Sequence, residues 1–272
     1  MKTIGFISLG CEKNTVNTEK MMAACADRGW NVCCEPDSAD VMVINTCGFI
    51  EDAKREALET VFEAANRKKE GKIGKILIAG CLAERYKDEI AAELPEADGF
   101  LGVGSFQRVA EAVEALLAGE TPRYFDPNDQ IQLEGKRLRT SPRYTAYLKI
   151  AEGCNNRCAY CAIPAIRGPY QSRPMESIVA EAGELLKNGA KELILIAQDT
   201  TNYGVDLYGE RRLPDLIRAL CRLPGLVWLR LLYLYPDKIT PELIACFKET
   251  PKLIPYVEMA VQLLTLNILQ LN

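Results

Sequence analysis

The sequence predicts an α/β protein: an N-terminal open, mostly parallel (Rossmann-like) sheet with helices on both faces, followed by a partial βα barrel. Three observations carry this expectation. First, the apolar runs IGFISLG, DVMVINTC, KILIAGC and GFLGVG are short and rich in Ile and Val, as strands buried on both faces are. Second, helix-like segments alternate with them, and repeated β–α alternation means parallel strands joined by helical crossovers. Third, the alternation resumes after a polar break, with ELILIAQ, VWLRLLY and YVEMAVQ separated by the helical patterns LPDLIRALCRL and PELIACFKE. Such serial winding is that of a parallel barrel, whose sites lie at the strand carboxyl ends.

Length and composition set the bounds. A chain of 272 residues suggests two domains, and 48% apolar with 26% charged residues is ordinary for a globular protein. A net charge of −4 and a pI near 5.3 oppose a broad electrostatic grip on nucleic acid. The first apolar run is too short for a signal or membrane-spanning segment. Eleven cysteines without a secretory signal imply a reducing compartment, the cytoplasm. There is no histidine, so imidazole ligation and imidazole acid–base catalysis are both excluded.

In chain order, residues 1–118 form the first domain. A helix from Asn14 to Arg28 is stopped at Gly29 and another from Glu51 to Lys69 at Gly71. Ser105 is placed to cap a last helix that buries Val109, Val113, Leu116 and Leu117. Residues 119–143 are polar, with several prolines and no sustained period, and read as a linker with room for a short hairpin around Gly135. Its basic cluster Lys136, Arg137 and Arg139 reads as a solvated face rather than a binding patch. Residues 144–272 form the second domain, opening on a strand through Tyr147, Leu148 and Ile150. A helix from Ser177 to Asn188 follows, with Ile178, Val179, Ala182, Leu185 and Leu186 on one stripe.

The cysteines carry the chemistry. Cys154, Cys158 and Cys161 are spaced C-x3-C-x2-C directly after a strand, among the turn formers Gly153, Asn155 and Asn156. Three thiols on so short a loop can wrap one compact object, either an iron–sulfur cluster with one iron left open or a structural zinc. Cys11, Cys47 and Cys81 each follow a predicted strand, and the carboxyl ends of such strands share the edge where ligands bind. Any one of them could be an ordinary small core residue; three repeating one position suggest a second ligand set. Cys25, Cys33, Cys34, Cys221 and Cys246 lack ligand spacing and read as packing residues. Gln198 and Asp199 also fall at a strand end, where loop capping and ligand contact are both open.

Taken together, the segments SLGCEKNTVNTE, VINTCGFIEDAKREA, IAGCLAERY, YLKIAEGCNNRCAYCAIPAIRGPYQSRP, ILIAQDTTNYGVDLYG and WLRLLYLYPDKIT resemble the radical S-adenosylmethionine (SAM) methylthiotransferases. The resemblance covers nearly all residues to about Glu258. Within that family, the GCEKN, CGFIEDAK and AQDTTNYG forms are similar to the branch that methylthiolates the β-carbon of an aspartate in a small-subunit ribosomal protein. The sister branch, which acts on a tRNA adenosine, is the alternative. The resemblance implies a partial radical SAM barrel and two 4Fe–4S clusters. One, on Cys154, Cys158 and Cys161, would bind SAM and, once reduced, cleave it to a 5′-deoxyadenosyl radical able to attack an unactivated C–H. The other, on Cys11, Cys47 and Cys81, would hold sulfur, and a second SAM would supply the methyl group. Tyr160, Arg173 and Gln198 would contact SAM, no side chain need act as an acid or base, and a flavodoxin-like donor would supply electrons. No membrane partner is expected.

The chain departs from the family near its end. Where the family reads close to VEMPLQH, this sequence has Val257, Glu258, Met259, Ala260, Val261, Gln262 and Leu263, and it closes on LTLNILQLN. That ending reads as a truncation before the last barrel units and the C-terminal substrate-binding β-barrel module, which leaves a non-catalytic, cluster-binding remnant as a further alternative.

Overall fold

The computed structural model describes residues 1–34, 36–129 and 131–259. It divides into two compact units, one of Met1–Thr140 with Ala165–Arg167 and the other of Ser141–Pro164 with the residues from Gly168 onward. The expected altered ending lies outside the described residues.

The first unit runs β1 (Thr3–Ser8), α1 (Glu12–Ala26), β2 (Asn31–Cys34), β3 (Ala39–Thr46), α2 (Glu51–Lys69), β4 (Ile73–Gly80), α3 (Cys81–Arg85), α4 (Ile90–Glu93), β5 (Gly99–Leu101), a 3-10 turn (Val103–Arg108), α5 (Val109–Leu117) and β6 (Arg123–Tyr124). Its sheet has the order β2-β1-β3-β4-β5-β6, and every pairing is parallel. This is doubly wound topology, whose winding reverses between β1 and β3. β3 is the central strand, and Val41, Met42, Val43 and Ile44 are fully buried on its two faces. Each such side chain contributes about 1.5–3 kcal/mol by leaving water. Helix α2 presents only Ala57, Val61, Ala64 and Ala65 to the core, a narrow stripe of small residues that lets it lie close to the sheet. Acidic residues in its first turn and basic ones in its last complement the helix dipole. Helix α1 differs, because its buried residues include the polar Lys13, Asn14, Asn17, Thr18 and Glu19.

Four expectations for this unit are corrected. Ser105 does not cap the last helix: its Oγ accepts from the Asp126 amide and donates to the Asp126 carboxylate, both at 2.8 Å, while a 3-10 turn leads into α5 at Val109. The stretch read as a linker is not slack. It contributes β6 to the sheet, buries Ile131 and Leu133, and shows no hairpin among its described residues. The basic cluster is not simply solvated, since Arg137 pairs with the buried Glu19 at 3.1 Å, and the Thr140 amide and hydroxyl also bond Glu19. Cys34 is exposed on the edge strand β2 rather than packed.

The second unit runs β7 (Thr145–Lys149), β8 (Ala151–Glu152), α6 (Ile163–Arg167, its last three residues grouping with the first unit), β9 (Gln171–Ser172), α7 (Met175–Lys187), β10 (Glu192–Ile196), α8 (Val205–Tyr208), α9 (Leu213–Cys221), β11 (Trp228–Leu234), α10 (Pro241–Glu249) and β12 (Leu253–Met259). β7, β10, β11 and β12 lie side by side in chain order and all parallel, as the serial winding predicts. Leu148, Leu195, Leu229 and Leu231 pack with Ile178 and Ala182 of α7 and with Leu216, Ile217 and Leu220 of α9. The short antiparallel pair β8–β9 was not anticipated. Among the described residues no helix is long and apolar enough to cross a membrane.

Candidate metal centres

The first cysteine set sits on the carboxyl edge of the doubly wound sheet. Cys11 is the N-cap of α1, Cys47 follows β3, and Cys81 begins α3 directly after β4. β1, β3 and β4 are neighbours in the sheet, so their carboxyl ends are adjacent, with the reversal of winding between the first two. An N-cap is also where helix N–H groups and the dipole favour negative charge. Gly10 makes the approach possible: its φ is +85°, and a Cβ there would stand 2.6 Å from the Cys47 Cβ. Burial pushes the Cys81 thiol up, the Arg167 guanidinium opposes that, and charge on Cys11 and Cys47 would raise it further. The three sulfurs are thus within electrostatic reach of one another.

Hydrogen bonds fix the set from below. The Asn14 side-chain amide donates to the carbonyls of Leu9 and Thr46, both at 3.0 Å. Asn45 Nδ2 donates to the Asn14 carbonyl and to Thr18 Oγ1, also at 3.0 Å. The Arg167 guanidinium donates to Asn14 Oδ1 and stands 3.0 Å from Cys81 Sγ.

The second set lies in the loop between β8 and α6. Gly153 opens it at φ +74°, where a Cβ would fall 2.0 Å from the Pro169 carbonyl oxygen. The Cys154 amide donates to the Gly168 carbonyl at 3.1 Å, and the Cys161 amide to the Cys158 carbonyl at 3.0 Å. Burial pushes the Cys154 thiol up, against the backbone N–H of Asn156 that points at it. The Cys161 thiol is raised by burial too, and the amide of Ile163 donates to its sulfur at 3.5 Å. The Tyr235 hydroxyl is 3.8 Å from Cys158 Sγ; that contact, then burial, pushes the phenol up to about 12.

Behind the loop, the buried Asp199 accepts from Asn156 Nδ2 at 2.9 Å, from Thr201 Oγ1 and from Lys238 Nζ. Lys238 also donates to Asn156 Oδ1 at 2.7 Å, so both ends of one loop amide are held. At the end of β10, Gln198 Nε2 donates to Glu152, itself paired with Lys149 at 2.8 Å. The Gln198 Oε1 is buried and has no hydrogen-bond partner among the described residues. Such an oxygen costs about 1–3 kcal/mol unless a donor reaches it.

The donor chemistry of both sets is thiolate alone, which suits iron–sulfur clusters and soft ions. Among the described residues no three Cys, Asp or Glu side chains converge as one metal ion requires. A tetrahedral zinc with bonds of about 2.3 Å would bring its sulfurs to about 3.8 Å from one another. A four-iron cluster gives each cysteine its own iron, so its three thiols stand wider apart.

Residues 3–102 match the uncharacterized protein family UPF0004, and residues 148–267 match the radical SAM superfamily. A ribosomal protein uS12 methylthiotransferase RimO from Thermoanaerobacter sp. is 48% identical over 96% of this chain. Its counterpart from Lachnoclostridium phytofermentans is 46% identical over 95%. Over both matched segments the chain is similar to the radical SAM methylthiotransferases. It spans about 60% of the length of these curated relatives. Among solved structures, the radical SAM methyltransferase TsrM from Kitasatospora setae superposes with a TM-score of 0.64 at 13% identity. The superposition covers 96% of this chain and 59% of that one, a likeness of fold alone.

The three residues expected beside SAM fare differently. Gln198 lies two residues beyond β10, and among the described residues no donor reaches its side-chain carbonyl oxygen. Tyr160 is largely exposed on the loop between Cys158 and Cys161. The Arg173 guanidinium, in contrast, is buried against Glu181 at 2.6 Å and the Lys149 carbonyl at 2.8 Å, so an ion pair explains its position without a ligand. Sequence reasoning missed Asn14, Arg167, Tyr235 and Lys238. Asn14 stands in the CEKN that follows the strand and Arg167 in the RGP that follows Cys161, yet neither has a spacing that singles it out.

Proposed function

We propose that this chain is the cluster-bearing part of a radical SAM methylthiotransferase that replaces a hydrogen on an aspartate β-carbon of ribosomal protein uS12 with a methylthio group. The chain would act in the cytoplasm, with a flavodoxin-like protein as electron donor. The observation that carries the reading is the pair of thiol-only cysteine sets, one at the carboxyl edge of the doubly wound sheet and one in the loop between β8 and α6. The substrate after which the relatives are named, ribosomal protein uS12, favours that target over a tRNA adenosine.

In this reading Cys154, Cys158 and Cys161 hold a 4Fe–4S cluster with its open iron toward SAM, and Cys11, Cys47 and Cys81 hold the auxiliary one. Bound there, these groups supply the one-electron and sulfur chemistry that polar side chains cannot. The protein's own contribution is placement. Asp199 and Lys238 hold the loop amide of Asn156, and that residue's N–H favours negative charge on Cys154. The Gln198 carbonyl is oriented by Glu152 and offers an acceptor to the amino group of SAM. Asn14 and Asn45 keep the strand ends that bear Cys11 and Cys47 in register.

Anaerobic reconstitution with iron and sulfide tests the reading. About eight irons per chain are expected, with 5′-deoxyadenosine formed from SAM under reduction. Replacing either cysteine set with alanine is expected to halve the iron. Zinc retention without iron uptake would overturn the proposal. Methylthio product on tRNA but not on a uS12 peptide would move the substrate to the sister branch.

A further inference from the structure

Arg167 is among the most buried large side chains of the chain, at 1% exposure. It lies at the end of α6, and the segment that carries it is held down independently. Asn128 Nδ2 donates to the Ala165 carbonyl at 3.1 Å and to the Ile166 carbonyl at 3.0 Å, and Ile166 is itself buried. From that anchor the guanidinium reaches Cys81 Sγ and Asn14 Oδ1. The orientation of Asn14 follows from its other bonds. Its Nδ2 serves the carbonyls of Leu9 and Thr46, which leaves Oδ1 as the end that must accept. Leu9 precedes Cys11 closely and Thr46 immediately precedes Cys47. One planar guanidinium therefore bears on all three ligand positions, on Cys81 directly and on the other two through Asn14.

Burying a permanent cation is costly unless negative charge lies beside it. Sulfur ligands of a cluster carry that charge, and hydrogen bonds and charge near those sulfurs set how readily the cluster is reduced. We propose that Arg167 is the positioning residue of the Cys11–Cys47–Cys81 centre, holding Cys81 and Asn14 in place and raising the reduction potential of the auxiliary cluster. The inference rests on the assignment of a cluster to these cysteines.

The test uses the full chain with Cys154, Cys158 and Cys161 replaced by alanine, so that one centre is read alone. Arginine, Arg167→Met, Arg167→Gln and Arg167→Lys are compared after anaerobic reconstitution, by iron content and by redox titration followed by EPR. About four irons are expected with arginine. The neutral variants are expected to be tenfold harder to reduce at a fixed applied potential, a shift of about 59 mV to the negative for one electron. Lys, which keeps charge without the fork, should recover part of that shift. Iron loss in both neutral variants with recovery in Lys would also support the role. An unchanged potential in neutral variants that hold iron, or equal iron loss in all three variants, would overturn it as merely structural. No iron with arginine in place would instead remove the cluster assignment, and this inference with it.

Discussion

Asn14 donates its side-chain amide to the carbonyl of Thr46 at 3.0 Å, so the helix that begins after Cys11 is fastened to the strand end that precedes Cys47. Replacing Asn14 with leucine would leave the Thr46 and Leu9 carbonyls and the Arg167 guanidinium without this partner. Each buried polar group left unpaired costs about 1–3 kcal/mol. Asn14→Leu is therefore expected to lower stability in urea unfolding by at least that amount. It should also reduce the iron held by the first set while sparing the second, as judged in backgrounds that retain one set each. Wild-type iron in the first set would contradict the bracing role.

Gly10 offers a more local perturbation. An alanine there meets both a left-handed backbone and the Cys47 side chain at 2.6 Å. Gly10→Ala is expected to take reconstituted iron from about eight to about four per chain. Cys246→Ala serves as the control: that thiol is buried in the second unit's core, outside both sets, so its loss should leave iron unchanged. If the two variants lose iron equally, the assignment of the first set fails.

The sequence made some of this architecture legible and hid the rest for physical reasons. β3, β4 and β10 announce themselves because strands buried on both faces must be apolar at nearly every position. Cys11, Cys47 and Cys81 could be put at strand ends because each follows an apolar strand, β1, β3 or β4, whereas Cys154, Cys158 and Cys161 stand out by their C-x3-C-x2-C spacing. α2 and α10 were delimited to the residue, the first by its terminal Gly71 and the second by the helical pattern PELIACFKE; the structure adds that the Thr240 hydroxyl caps α10 by accepting from the Leu243 amide. β2 and β6 were missed because edge strands of four and two residues are too short to show a period. The polar underside of the first set was missed for a different reason. Periodicity searches look for apolar faces, and the buried face of α1 carries Asn14, Asn17, Thr18 and Glu19 instead. Arg167 could not be found at all without coordinates, because its partners Asn14 and Cys81 are far from it in the chain.

Lys238 and Asp199 form the clamp behind the second loop. Lys238→Met removes the cation from a carboxylate that is 2% exposed and frees Asn156 Oδ1. Breaking a buried pair from one side costs about 3–5 kcal/mol. Lower stability of this order is expected, together with faster loss of iron from the second set on exposure to chelator. Asp199→Asn together with Lys238→Met should recover part of the stability, because no uncompensated charge remains. Equal stability of the single and double variants would contradict the clamp.

Asp98 provides a pH-dependent test of the first sheet away from both sets. Burial would raise its carboxyl, but Lys68, the Ile76 amide at 2.9 Å and Lys75 at 3.2 Å together hold it below the usual carboxylate range. A carboxyl depressed in the folded state binds its proton more readily when unfolded, so its stabilisation is present above the unfolded value of about 3.9 and is lost as pH falls through the folded value. Asp98→Asn keeps the shape but removes the charge, and at pH 7 it is expected to cost about 1–3 kcal/mol in urea unfolding of the iron-free chain. The gap between the native and variant chains should narrow steadily as pH falls below about 4, because protonation takes from the native carboxylate what the substitution has already removed. A gap that stays constant from neutral to acid pH would show that the two lysines and the Ile76 amide do not act on Asp98 as a charge.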